Sequence, residues 1–403
     1  MPYRRADEDQ PVTGRSLMES SRPLIIATIL RPEGITGIHT HFRQLRRYLD
    51  ATDRTAAIIT PFSWHRALAV PVFAPRVALR RIYGPADVAW YRHWHEVFLY
   101  KALVARLAQV GGCVVYAQCP VAARAALRAR RGPHQRVVMA VHFRTSQADE
   151  WVVDKLIKHN GPQFRAIRQF ERDVIPQVDG LVYVSRWAER ALLSWLPEAA
   201  AVPSAVIENF VAPMPGRPNQ EPVGDLVTIG NLLRAKNHRY MLDILAAAKR
   251  KGRTLTLDIF GEGSLRRDLQ RRVRTLGLAE QVRFRGFRSD VRDFLPGYRA
   301  YVHASYSESS SLAIIEAMAA GLPIVTGKIG PLAELCDDGV EARFWTLDDA
   351  DEAAATLLDL LDCEPARLRA ADAARERFRR DFDADVMGPR LWSFLMERTH
   401  AAS

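Results

Sequence analysis

The sequence contains no uninterrupted apolar run near the roughly 20 residues a helix needs to cross a bilayer, so no helical membrane span is expected. Cysteine is scarce: Cys113, Cys119, Cys336 and Cys363 are four among 403 residues, scattered and without metal-type spacing. That excludes a disulfide scaffold or a cysteine-built zinc site and suits reduced thiols in a cytoplasmic protein. A Gly-x-x-x-x-Gly-Lys-Ser/Thr loop is absent, which removes ordinary P-loop ATPases, and there is no nucleophile elbow and no His-Glu-x-x-His. Short-period repeats and low-complexity stretches are missing too. The first residues, MPYRRADEDQPVTG, hold no apolar core segment, so a secretory signal is not expected. Residues 1–22 read as a disordered or loosely attached tail.

What is present is ordinary globular composition with a basic excess. Hydrophobic residues make up 48% and charged residues 26% of the chain, values that support packed cores. The length suits two domains. The net charge of +11, carried largely by arginine, can serve nucleic acid, anionic lipid or phosphorylated ligands. The basic residues are dispersed rather than massed, which argues against nucleic acid as a partner.

Short apolar runs alternate with longer amphipathic ones, the pattern of a parallel α/β protein. Strands are expected over Leu24–Leu30, Thr55–Pro61, Cys113–Gln118, Val137–Phe143 and Leu181–Ser185, with helices over Gly37–Leu49, Trp90–Leu107 and Phe164–Val178. The Pro- and Gly-rich stretch Pro213–Gly224 breaks the pattern. The alternation then restarts, with strands over Leu226–Gly230, Leu255–Phe260, Val282–Phe287, Ala300–Ala304 and Pro323–Thr326. Helices are expected near His238–Lys251, Leu265–Leu276, Val291–Leu295 and Leu312–Ala320, with a last one over Pro389–Met396. The expected organisation is a first doubly wound domain over 23–210, a linker over 211–224, a second over 225–380, and a C-terminal helix within 381–403 returning to the first domain. Two such domains imply a ligand cleft outside the carboxyl ends of their strands.

The segment SESSSLAIIEAMAAGLPIV, from Ser307 to Val325, carries the most chemistry. Residues Leu312 to Gly321 are apolar all round, as in a buried helix, yet Glu316 stands inside it. A carboxylate there is costly to desolvate unless something hydrogen-bonds to it. A ligand hydroxyl, a backbone amide or a basic side chain could do so. Ser309, Ser310 and Ser311 can cap the helix start, where unpaired N–H groups favour an anion, typically phosphate. With Glu308 just ahead, one segment offers two carboxylates for hydroxyls and a cradle for phosphate.

Further candidates fall at strand-to-helix turns. Gly34-Ile-Thr-Gly37 follows the first strand and permits close approach to a phosphate or sugar, or is a plain tight turn. Gly230-Asn-Leu-Leu-Arg-Ala-Lys236 places a lysine where it reaches a diphosphate or is simply solvated. Gly261-Glu-Gly263 suits a ligand contact or an ordinary strand end. His142 closes its strand and either faces the cleft or is a satisfied structural histidine. The alternation Asp381, Asp383, Asp385 imitates a metal-binding DxD. It lies after the last strand, far from any phosphate loop, so helix entry and turn chemistry explain it, and no metal ligand is assigned.

These residues resemble those of a known family. Two glutamates with seven residues between them, followed by Ala317-Met318-Ala319, Gly321 and Pro323, match the donor motif of GT-B retaining glycosyltransferases, specifically glycosyltransferase family four, the bacterial polysaccharide-type group 1 enzymes. Gly230 with Lys236, Gly261-Glu-Gly263 and Val282-Arg-Phe-Arg-Gly286 match upstream in order. The first half matches more loosely, through Gly37 and His142. The resemblance implies a GT-B fold of two Rossmann-like domains and a nucleotide diphosphate sugar, UDP- or GDP-linked, as donor. Glu316 would hold the ribose hydroxyls and Glu308 the donor sugar. Amides around Ser310–Leu312, with Lys236, would take the diphosphate, and backbone at Phe287 and Arg288 the base. Gly37 would lie by the phosphates and His142 by the reaction centre. Such enzymes retain anomeric configuration without a bound metal or a tightly bound cofactor.

Two departures stand out. Asn231 replaces an arginine usual in the family, with Arg234 nearby as the candidate to reach in instead. Ser309-Ser310-Ser311 replaces a Gly-aromatic-Gly. On the acceptor side, Trp64, Tyr83, Trp90, Tyr91 and Trp94 mingle with Arg66, Arg76, Arg80, Arg81 and Arg92. This is either a surface for an anionic membrane, with a lipid-linked glycan as acceptor at the inner leaflet, or helix packing with solvated arginines. The leading expectation is hexose transfer to a glycan or lipid-linked glycan in bacterial polysaccharide assembly. A natural-product glycosyltransferase is the alternative, with a GT-B sugar-nucleotide epimerase or a basic nucleic-acid-binding protein more remote.

Overall fold

The computed structural model describes residues 22–31, 34, 37–64, 71–74, 76–214 and 223–397; the expected tail, apart from Arg22, and Arg66 lie outside them. Two six-stranded sheets, all parallel, carry the chain. The first comprises β1 (Leu24–Ala27), β2 (Ala56–Ile59), β3 (Cys113–Ala117), β4 (Gln135–Val141), β5 (Gly180–Tyr183) and β6 (Ser204–Val206) in the order β2-β1-β3-β4-β5-β6. The second comprises β7 (Gly224–Ile229), β8 (Leu257–Phe260), β9 (Val282–Gly286), β10 (Tyr298–His303), β11 (Ile324–Gly327) and β12 (Ala342–Trp345) in the order β12-β11-β10-β7-β8-β9.

Central strands such as β3 and β4 are buried along their whole length, which is why they read as continuous apolar runs rather than alternating ones. Strand order reverses between β1 and β3 in the first sheet and between β7 and β10 in the second. Ligands of open α/β sheets gather at such switch points. The loops at these reversals carry Gly34 and Gly37, Gly230 to Lys236, and 304–311.

The chain closes on the first sheet. The helix Ala384–Met396 buries Met387, Leu391 and Leu395 among Leu45, Tyr48 and Leu49, and Arg136 Nη1 donates to Leu395 O at 3.2 Å. A Cβ on Gly388 would stand 2.4 Å from the Tyr48 ring, so glycine sets how closely this helix approaches.

Several boundaries differ from expectation for local reasons. The last helix begins at Ala384, five residues before Pro389, because the Asp383 side chain accepts from Asp385 N and caps it. Asp381 ends the preceding helix Glu364–Asp381, so the DxD-like alternation is split between one helix end and the next cap. The expected helix Phe164–Val178 is Pro162–Val174 followed by a 3₁₀ turn, Ile175–Gln177, where Pro176 supplies no N–H. The helix expected from Trp90 begins at Gly84, with Pro85 in its first turn. The short strands β6 and β12 and the helices Ala350–Asp362 and Glu364–Asp381 were not anticipated; the strands are short, and Glu364–Asp381 is largely polar.

The basic-aromatic region turns mostly inward. Trp90 Nε1 donates to Val72 O at 2.8 Å, Trp64 packs edge-on against Phe98, and Arg76 pairs with the fully buried Asp87 at 2.7 Å while lying over Tyr91. Arg92 donates to Gln147 Oε1 at 2.7 Å. Helix packing therefore accounts for these residues. Ile82 and Tyr83 remain outside it, 81% and 62% exposed.

Candidate functional site

A cavity of about 290 Å³ opens between the two sheets. The helix Gly37–Ala51 forms its first-domain wall, and the loops after β7, β8, β9 and β10 form the other. It brings together Gly37, His142, Gly230, Asn231, Lys236, Gly261, Phe287, Arg288, Glu308, Ser309, Ser310, Ser311, Leu312 and Glu316. Arg234 is exposed in the 3₁₀ turn Arg234–Lys236 and does not line the cavity. It is therefore not positioned to replace the arginine that Asn231 displaces, because the turn sends Lys236 inward and Arg234 out.

Close backbone approach shapes the second-domain wall. A Cβ on Gly261 would stand 2.0 Å from Gly230 O, and one on Gly263 would stand 2.5 Å from Leu232 O. Glycine at these strand ends lets the two loops lie against each other. Gly37 differs: a Cβ there would meet nothing within 4 Å, so its missing side chain opens space in the cavity.

Glu308 is buried and heavily partnered through one oxygen. Oε1 accepts from Lys236 Nζ at 2.5 Å, His303 Nε2 at 3.0 Å and Ser305 Oγ at 2.7 Å. Burial works to raise its pKa, but the Lys236 charge and then the His303 hydrogen bond outweigh it and hold the carboxyl at about 2. Burial lowers the pKa of His303; as a neutral ring it donates through Nε2 and accepts from Tyr301 OH at Nδ1, 3.3 Å away. Among the described residues no bond is made to Glu308 Oε2, which leaves that oxygen for a ligand.

Glu316 has the opposite environment. It is 7% exposed, and among the described residues no hydrogen bond reaches its carboxylate. Burial raises its pKa, opposed by the charges of Arg292, Arg43 and Arg47. Of the three serines, Ser311 is the cap, its hydroxyl accepting from Ile314 N at 3.4 Å. Ser310 Oγ is buried without a partner among the described residues, a polar group that a ligand would satisfy.

His142 is held neutral: burial, then the neighbouring His41, keep its pKa well below 6.5. Its Nε2 faces Gln118 Oε1 at 2.9 Å and the His41 ring lies 4.9 Å away, edge-on. With Nε2–H donating to that amide oxygen, Nδ1 remains an acceptor.

Thr40, His41, Arg43, Gln44, Arg47 and Arg292 also line the cavity, and none of them stands out in the sequence. Gly37, Thr40, His41, Gln44 and Arg47 recur at helical spacing, a polar stripe indistinguishable in sequence from a solvated face. Gln44 Oε1 accepts from Ala212 N at 3.1 Å, and Arg292 Nη2 donates to Ala212 O, so the stripe meets the segment leading into the second domain.

Residues 216–377 match the family model of glycosyl transferases group 1. The chain is 34% identical over 172 residues to a glycogen synthase of Mycobacterium tuberculosis, covering 41% of each. It is 29% identical over 130 residues to the GtfA subunit of a UDP-N-acetylglucosamine–peptide N-acetylglucosaminyltransferase of Streptococcus gordonii, covering 32% of this chain and 24% of that one. The chain thus spans between a quarter and two-fifths of the length of these curated relatives. In architecture it matches Anabaena Alr3699/HepE, solved with UDP and glucose, at a TM-score of 0.66 and 16% identity, over 93% of this chain and 99% of that one. At that identity the likeness speaks for the fold. The two facing Rossmann-like sheets are the GT-B fold, and residues 216–377 are similar to the group 1 glycosyl transferases.

Proposed function

We propose that this protein is a retaining glycosyltransferase that moves a hexose from a nucleotide diphosphate sugar, UDP- or GDP-linked, to a glycan or lipid-linked glycan in bacterial polysaccharide assembly. The observation that carries the reading is the pairing of Glu308 and Glu316 in one cavity, on either side of a helix start with a buried, unpartnered Ser310 hydroxyl. Glu316, buried without a hydrogen bond among the described residues, takes the ribose hydroxyls. Glu308, fixed through Oε1, offers Oε2 to the donor sugar. Amides at Ser310–Leu312 and the Lys236 ammonium take the diphosphate, Phe287 and Arg288 the base. Gly37 leaves room for the phosphates from the other side, and His142 meets the sugar. The UDP and glucose complex of the Anabaena protein and the carbohydrate chemistry in the relatives' names support this reading.

The chemistry follows from charge. As the bond from the anomeric carbon to the diphosphate breaks, negative charge grows on the leaving oxygen, where Lys236 and the helix amides stabilise it. The acceptor oxygen bonds on the same face and gives its proton to the departing phosphate, so no side-chain base is required. The site needs neither a metal nor a tightly bound cofactor. Exposed Ile82 and Tyr83, with exposed Arg80 beside them, suit peripheral contact with the anionic inner face of the cytoplasmic membrane, where a lipid-linked acceptor lies.

A thermal-shift panel of UDP, GDP and ADP with their sugars tests the proposal. Ligand at about 100 times its dissociation constant adds about 2.7 kcal/mol, so the matching base raises the melting temperature distinctly. If no nucleoside diphosphate or its sugar shifts the transition, the donor assignment is wrong.

A further inference from the structure

Several contacts between the domains fall beside the cavity. Arg144, in the turn after β4 and His142, donates from Nη1 to Ser307 Oγ. Ser185, after β5, donates from Oγ to Ser309 O at 2.9 Å. Ser307 and Ser309 are the two neighbours of Glu308. The first domain thus holds the second domain's sugar-facing acid by the residue on each side of it.

Both grips are braced from behind. Glu150 accepts from the Arg144 backbone N–H at 3.1 Å and from its Nε at 3.0 Å, fixing the guanidinium. Ser185 Oγ also accepts from Ala188 N at 3.1 Å and caps the helix Arg186–Leu193. That helix is tied down again nearby: Glu334 Oε2 accepts from Trp187 N at 2.9 Å, Glu334 also pairs with Arg190, and Trp187 lies so close over Gly330 that a Cβ there would stand 2.6 Å from the indole nitrogen.

The gripped loop has little else. Tyr306 N donates to Ala235 O at 2.9 Å on one side, and Ser311 caps its helix on the other. Between them, among the described residues, the Ser185 bond to Ser309 O is the sole hydrogen bond made by the main chain of 307–310. The Glu308 side chain is anchored at Oε1, but the backbone that aims Oε2 depends on the other domain.

We infer that Arg144 and Ser185 are positioning residues for Glu308, so that the acid faces the donor sugar correctly only while the two domains are joined through them. This rests on the glycosyl-transfer reading above. The ribose and base contacts at Glu316, Phe287 and Arg288 lie outside the gripped loop, and of the amides assigned to the diphosphate only that of Ser310 lies within it.

The test uses the full chain with Ser185→Ala, Arg144→Ala, Ser307→Ala, the Arg144/Ser307 double variant and Arg144→Lys. Hydrogen exchange reads residues 305–311 directly, and steady-state transfer is measured with the nucleotide sugar chosen by the thermal panel. Expected are exchange about fivefold faster in 305–311 with β4 unchanged and kcat lower by about tenfold with KM and the UDP dissociation constant within about twofold. The double variant should be no worse than either single, since both remove one bond, and Arg144→Lys should recover part of the loss. Unchanged exchange in 305–311 overturns the inference. So does faster exchange spreading through β4, which would make Arg144 merely structural. If the wild-type protein transfers no sugar, the functional reading falls, and the exchange result still decides whether the loop is held from the first domain.

Discussion

Lys236 Nζ lies 2.5 Å from Glu308 Oε1, and Glu316, in the same cavity, has no such partner among the described residues. The Glu308 carboxyl is therefore held below its ordinary value, while burial raises that of Glu316. Environments that push two acids apart in this way suit them to different tasks: on the proposed reading Glu308 is a charged group fixed by the protein and Glu316 a group whose partner arrives with the ligand.

The first prediction is an opposite pH dependence. Glu308 has a folded pKa near 2, below its ordinary 4.5, so its stabilising contribution is complete above 4.5 and fades as pH falls toward 2. The stability lost in Glu308→Gln should shrink across that window. Glu316 has a raised pKa, so its charged form opposes folding; Glu316→Gln should stabilise the unliganded protein above the folded pKa, and the gain should vanish below 4.5. Denaturant unfolding at a series of pH values checks both signs.

Glu316→Ala should leave the fold intact and weaken nucleotide binding by one to two orders of magnitude, since each hydrogen bond to a charged acceptor contributes about 1.5–3 kcal/mol. Titration calorimetry with UDP and GDP reads it. Full turnover in this variant would remove the ribose role. Glu308→Ala should spare nucleotide binding and lose transfer.

Lys236→Ala leaves Glu308 buried with neutral partners only. Breaking a buried pair costs about 3–5 kcal/mol, and the 28% exposure of the lysine side chain places this one near the low end. The same variant should lower kcat, as the leaving diphosphate loses a cation. Lys236→Ala with Glu308→Gln should recover stability without recovering activity.

The glycines separate packing from binding. Gly261→Ala drives a methyl into Gly230 O and should cost at least about 1–3 kcal/mol. Gly37→Ala meets no protein atom within 4 Å and should keep its melting temperature while weakening donor binding, because the methyl takes ligand space.

For the membrane, replacing Ile82 and Tyr83 by aspartate should abolish co-sedimentation with phosphatidylglycerol vesicles and leave transfer to a soluble glycan unchanged. No preference of the wild-type protein for anionic over phosphatidylcholine vesicles would refute the surface.

Much of this was legible in sequence because it rests on local chemistry. Continuous apolar runs mark β3 and β4 as strands buried on both faces. An acid inside the apolar stretch after Ser311, with glycines at the turns, marks the second-domain half of the site. Tertiary structure alone decided the rest. The polar stripe from Gly37 to Arg47 becomes a cavity wall only because the second domain stands opposite it. Arg234 turns out and Lys236 turns in because the 3₁₀ turn between them fixes their directions. The tryptophans and arginines that sequence leaves between a membrane surface and helix packing are mostly packed, because Asp87, Val72 and Gln147 lie within reach only after folding. Sequence determines which groups exist and where the chain turns; which groups face one another across a domain boundary depends on contacts far apart in the chain, such as Arg144 with Ser307, for which no local pattern exists.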